Sequence, residues 1–205
     1  KGIEEVAGIT RLEMTRPGGL PETLLPELRP LSGDALIVPV VDRSVLLLEL
    51  GDAVRLLGVD LLLDAEVRPV IAEDETLPDL ESLLLGSGAL ISRELAATLG
   101  AEVGDVVALS ANGRPGSIEV AALFDAGRLS EIWERVILVD MAVAQELLGT
   151  LGIVDRIELV PRGPVDLEAL RTRADALLPD GLTAAEPGER RRFAEQMLAS
   201  LRFNL

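Results

Sequence analysis

The chain contains no cysteine, no histidine and no tyrosine, and its sole lysine is Lys1. Each absence removes a class of chemistry. Without cysteine there is no disulfide framework and no thiolate nucleophile, and the redox compartment stays open. Without histidine, Ser-His-Asp and Cys-His relays are excluded, as are zinc sites built on imidazole or thiolate. A metal would rest on oxygen ligands alone, and an acid–base enzyme on paired carboxylates. Aromatic residues are 2% of the chain, so the apolar work falls to Leu, Val, Ala and Ile. No run reaches the roughly 18 apolar residues of a membrane span. The longest, SVLLLEL, is strand-sized.

Positive charge is also scarce. The 35 acidic and 19 basic residues leave a formal charge of −16, a field that repels phosphate backbones and anionic lipid, so no nucleic-acid partner is expected. The imbalance is local. Residues 51–155 hold 19 acidic and 6 basic residues, whereas the rest of the chain holds 16 and 13. One contiguous block with its own acidic surface reads as an inserted unit.

What is present is regular architecture. GITRLEMTR alternates as a strand that PGG at 17–19 breaks, LPETLLPELRPL gives a Pro-punctuated helical turn or two, and GDALIVPVVDRSVLLLEL reads as a long strand bent at Pro39. Near the other end, VDRIELVPRG is a strand, PVDLEALRTRADALLPD an amphipathic helix with Pro164 and Asp166 in its first turn, and GLTAAEP a strand. The stretches ITRLEMTRPGG and VDRIELVPRGP share Arg-apolar-Glu-apolar and a following Gly. A β-α-β unit thus occurs twice, which predicts an α+β fold: a ferredoxin-like βαβ + βαβ sheet from residues 1–50 and 156–205, with 51–155 inserted between the two units.

Within the insertion, DAVRLLGVDL is a strand and TLPDLESLL a helix capped by Thr76. GALIS is a strand, and RELAATLG a helix opened by Ser92 and stopped by Gly100. GDVVALSANGRPGSIEVAALF is a hairpin across ANGRPG, WERVILVD a strand, and Asp140 caps MAVAQELLG. The final segment places Phe193, Met197, Leu201 and Leu205 on one helical face behind Arg190, Arg191 and Arg192. It is a terminal docking helix or one that runs on into a membrane. The chain starts at Lys1 and stops in SLRFNL, so both ends are expected to continue into something longer.

Four motifs in order, LLGVD, GALISRELAATLGAEVGDVVAL, VILVDMAVAQELLG and GIVDRIEL, resemble the MacB-like periplasmic core domain of FtsX-like ABC transporter permeases. Ser92, Leu95, Ala96, Leu99, Gly100, Gly104 and Asp105 match its second element, and Val139, Asp140, Ala144, Gln145, Leu147, Leu148 and Gly149 its third. The resemblance covers essentially the whole chain. It implies an extracytoplasmic domain between the first and second transmembrane helices of a permease, on the periplasmic or extracellular side of the cell (inner) membrane. It also implies a membrane-proximal porter-like subdomain and an inserted distal mixed α/β, sabre-like one. Its partners would be a second permease half, identical or not, and an ATP-binding subunit acting through the transmembrane part. A lipoprotein, lipid or peptide is the implied cargo.

Sharper readings find little support in the residues. EDET at 73–76 with Asp79 and Glu81 lacks the alternating acids and central Gly of a calcium loop and reads as a solvated face, as do Asp60, Asp64 and Glu66. GSG at 86–88 is a turn before a strand, because no G-x-S-x-G and no base accompany it. Trp133 reads as core or edge packing, Asp105 as a turn residue and Asp140 as a cap. No catalytic, cofactor-binding or metal-ligating residue is assigned, no cofactor is required, and no substrate-binding residue is named. The leading expectation is a non-enzymatic relay of ATP-driven motion. A cargo-binding module is the alternative, and a carboxylate-based enzyme stands third.

Overall fold

The computed structural model describes residues 12–64, 88–126 and 133–187. The strands are β1 (Leu12–Pro21), β2 (Ala35–Leu47), β3 (Asp52–Val59), β4 (Gly88–Ser92), β5 (Val106–Ala111), β6 (Arg114–Phe124), β7 (Val136–Asp140) and β8 (Ile153–Pro161). The helices are α1 (Leu24–Leu28), α2 (Leu61–Asp64), α3 (Arg93–Leu99), α4 (Met141–Leu148) and α5 (Leu167–Asp175), with short 3₁₀ turns at Arg29–Leu31 and Trp133–Arg135. All eight strands form one sheet in the order β1-β8-β2-β3-β7-β4-β6-β5. A second pairing of β5 with β2, Leu46 opposite Ser110 and Leu47 opposite Leu109, closes the last six into a ring. The fold is mixed α/β with strands dominating.

The alternation of β2 sorts the interior into two apolar clusters. Ala35, Val41, Val45 and Leu47 enter one, with Leu28, Leu170, Leu95 and Leu148 from four helices. Leu36, Val38 and Val40 enter the other, with Phe124 and Trp133. Side chains two residues apart share a sheet face, so one strand feeds both clusters. The sheet outside the ring is antiparallel: an isolated bridge between Glu13 and Ala185, then β1, β8 and β2. Helices α1 and α5 lie in its connections and bury Leu24, Leu28, Leu170 and Ala174 against it.

Local chemistry explains the element ends. The Ser92 Oγ accepts from Leu95 N–H at 2.9 Å, Asp140 caps Ala142, and Asp166 caps Glu168 and Ala169. Each such cap contributes about 0.5–2 kcal/mol. Gly100 and Gly149 close α3 and α4 in the left-handed region, with φ of +67° and +68°.

Three expectations need correction. PGG does not end β1. The strand continues to Pro21 by ejecting residues 16–19, because Gly18 and Gly19 adopt φ of +86° and +89°. A Cβ on Gly19 would stand 2.5 Å from the Ile153 side chain, so the bulge needs glycine there. The hairpin turn is Asn112-Gly113 alone, both at positive φ, as a two-residue turn demands. Pro115 and Gly116 belong to β6, opposite Ser110 and Leu109. GLTAAEP forms only the single bridge through Ala185. The expected Thr76 helix, the acidic stretch 73–81 and the helix ending at Leu205 lie outside the described residues.

Candidate functional site

The most unusual chemistry sits where β2 changes partners. Its first half pairs with β8 up to Val40 opposite Arg156, and its second half pairs with β3 from Val40 opposite Val59. At that crossover the chain places Asp42, Arg55, Arg156 and Glu158 on one face. Arg156 Nη1 donates to Asp42 Oδ2, and its Nε donates to Glu158 Oε1 at 2.6 Å. Arg55 closes the other side of Asp42, Nε to Oδ1 at 2.7 Å and Nη2 to Oδ2. Glu158 is fully buried, and Arg156 is nearly so.

On the opposite face Asp155 takes over where the ladder stops. Its Oδ2 accepts the Asp42 backbone N–H at 2.7 Å and Arg43 Nε at 3.0 Å. Burial alone would raise the Asp42 carboxyl. The hydrogen bond from Arg55 and the charges of Arg156 and Arg55 outweigh it and hold the carboxyl below its usual value. Burial likewise opposes the Arg156 charge, and Glu158 and Asp42 outweigh that, so the guanidinium stays ionised. These carboxylates are committed to arginines. Their chemistry is cohesion between strands.

A second tie crosses the same junction. Gln145, buried on α4, donates through Nε2 to Glu22 beyond β1 and to the Ile153 carbonyl of β8 at 3.1 Å. Helix α4 is seated on β3 at Gly58, where an added Cβ would meet the Ala144 methyl at 2.4 Å and the Val41 Cβ at 3.2 Å. Beside this tie lies an open groove of about 490 Å³. Leu25 and Pro26 of α1, Ile37 and Pro39 of β2, Leu63 of α2 and Met141 of α4 give it apolar walls, with Glu22, Arg29 and Asp60 among them.

The motif residues all take architectural posts. Ser92 Oγ also donates to the Glu134 carbonyl, which pins the turn before β7. Asp105 Oδ2 accepts from Glu102 N–H at 2.8 Å, and its backbone and that of Gly104 bond to Val120. Asp60 caps α2 through Leu63 N–H at 3.1 Å. Trp133 is buried edge-on to Phe124, with ring centroids 6.3 Å apart. The sequence reading missed the Asp42–Arg55–Arg156–Glu158 network. The signal was there, charges interrupting two otherwise apolar strands in PVVDRSV and VDRIELV.

No family model matches the chain. An uncharacterized ABC transporter permease protein of Mycobacterium tuberculosis is 27% identical over 197 residues, 92% of this chain. The extracellular domain of the noncanonic ABC-type transporter YknZ from Gram-positive bacteria superposes with a TM-score of 0.62 at 18% identity, covering 86% of this chain and all of that one. The two share a fold. The periplasmic region of MacB from Actinobacillus actinomycetemcomitans agrees, with a TM-score of 0.59 at 10% identity over 92% of this chain and 94% of that one. The resemblance read from the four motifs is thus matched by similarity in sequence to an ABC transporter permease protein and by similarity in fold to the extracellular and periplasmic domains of YknZ and MacB. The chain spans 22% of the length of the mycobacterial relative. Among the described residues no helix is long and apolar enough to cross a membrane.

Proposed function

We propose that this domain works as a stiff relay on the outer side of a membrane, carrying ATP-driven motion of permease helices to a partner or cargo. One observation carries the reading. Strand β2 runs unbroken through both parts of the sheet, and where they meet the largely buried Asp42 ties it to Arg156 of β8 and to Arg55 of β3. Packed cores transmit displacement because they lack voids to absorb it. The chain reaches β1 and leaves Ala185 side by side, so both connections depart from the same end. Two tethers at one end and a locked strand leading away are what a lever needs. The charge split supports a division into a porter-like part, 1–50 with 156–205, and an inserted part, 51–155. A second permease half and an ATP-binding subunit complete the assembly, with lipoprotein or lipid release or efflux as its task.

The test is topology in the intact protein. A Ser117→Cys variant of the full-length permease, in whole cells, should react with a membrane-impermeant maleimide. Labelling only after the cells are opened would place the domain inside and end the proposal. The groove beside Met141 favours a second reading, capture of an apolar cargo between the two parts. Photo-crosslinking from Leu25 would find such a cargo there, and a relay alone would leave that position uncrosslinked.

A further inference from the structure

The outer face of the sheet where β5 meets β2 carries exposed apolar side chains. Leu46 is 41% exposed, Leu48 50% and Val106 63%. Register places them together. Leu46 faces Ser110, Leu48 N–H bonds to the Ala108 carbonyl at 3.1 Å, and Val106 follows Ala108 on the same face. Ala108 and Ser110, on the same face, are small and half-buried. The backbone there is already paired, β2 with β5 and β5 with β6, so no strand can add to it.

Among the described residues the rim of this face is acidic. Glu49 follows Leu48, Asp105 precedes Val106, Glu119 stands directly opposite Val106, and Glu102 lies in the adjoining turn, all exposed. Arg114 falls on the other side of the hairpin, against Gly149, and Arg55 is committed to Asp42. We propose that this face is a docking surface for a protein partner that presents an apolar ridge flanked by lysine or arginine. A second copy would bring an identical acidic rim against it, and anionic lipid would be repelled in the same way, so both are disfavoured. The face lies at the Leu47 end of β2, roughly 30 Å of strand from Val38, the level at which Glu13, opposite Glu158, meets Ala185. The docking chemistry stands without the relay reading. Only its position, far from the tethers, rests on that reading.

The experiment is a nuclear magnetic resonance titration of the 205-residue chain with a synthetic amphipathic helix whose leucine face is flanked by lysines. Saturable shifts are expected at residues 46–49, 105–108 and 117–119. Glu49→Lys with Glu119→Lys should weaken binding by roughly tenfold or more, and Leu48→Ser with Val106→Ser should abolish it while the melting temperature holds. A helix with glutamates in place of the lysines should not bind, nor should phosphatidylglycerol vesicles, and the chain should sediment as a monomer. The proposal is overturned by equal binding of the glutamate helix, by shifts confined to Leu25, Ile37, Leu63 and Met141, by vesicle binding, or by self-association that Leu48→Ser removes. The relay reading survives any of these results, because none of them reports on stiffness.

Discussion

The two halves of β2 are built to different rules. From Ala35 to Val41 every residue but Ile37 is buried, as in a strand covered on both faces. Past the half-buried Asp42 and the exposed Arg43, buried and exposed positions alternate from Ser44 to Leu47, with Val45 and Leu47 inward and Ser44 and Leu46 outward. The first half lies in the near-neutral part of the sequence, under α1 and α5. The second leads into the acidic block and ends at the open apolar face. The strand is therefore a shared beam: one end is enclosed by packing, the other presents a surface, and the charge network holds the transition.

Removing Arg156 should disturb the crossover most. Arg156→Met leaves the buried Glu158 carboxylate without its guanidinium and should cost about 3–5 kcal/mol in denaturant unfolding. If the loss were under about 1 kcal/mol, the network would be ornamental. Gly58→Ala comes next. The added methyl has no room beside Ala144, so overpacking of about 1–3 kcal/mol is expected. An unchanged midpoint would show that α4 is free to shift away from β3.

Gln145→Leu should cost about 1–3 kcal/mol by leaving the Ile153 carbonyl and Glu22 without their shared donor. Hydrogen exchange at Ile153 and Val154 should quicken, and protection equal to the parent chain would refute the tie. Acid sharpens the picture further. Because the Asp42 carboxyl is held below its ordinary value of 3.8, its contribution is fully present above that pH and is lost as the pH falls through the lowered folded value. Asp42→Asn should remove that part of the acid-limb slope. Smallest of all, Leu48→Ser should change stability by less than about 0.5 kcal/mol, since the side chain is half exposed.

Much of this fold was legible in the sequence, and the exceptions share a cause. Caps at Ser92, Asp140 and Asp166 and stops at Gly100 and Gly149 act within one turn of chain, so their residues announce them. The Asn112-Gly113 turn was visible for the same reason, though Pro115-Gly116 beside it suggested a longer loop. Nothing local distinguishes the glycines of a chain break from those of a bulge, and only β8 across from Gly18 and Gly19 decides it. The Asp42–Arg156 lock joins residues 114 apart in sequence. Without knowing that β2 crosses from β8 to β3, those charges read as ordinary polar interruptions. The groove was unreadable in the same way, because its walls come from four separate elements. Resemblance pointed to the kind of fold, while the contacts that hold it together had to be located in space.

Stiffness is the central claim, and one distance tests it most directly. Spin labels at Glu168→Cys on α5 and Ser117→Cys on β6 span both parts of the sheet, and this domain has no cysteine of its own to compete. In the reconstituted permease, pulsed electron paramagnetic resonance should give one narrow distance that stays the same with and without ATP, while distances from the domain to the membrane change. A distribution that broadens or shifts with nucleotide would mean that the domain bends at the crossover, and the relay as described here would be wrong.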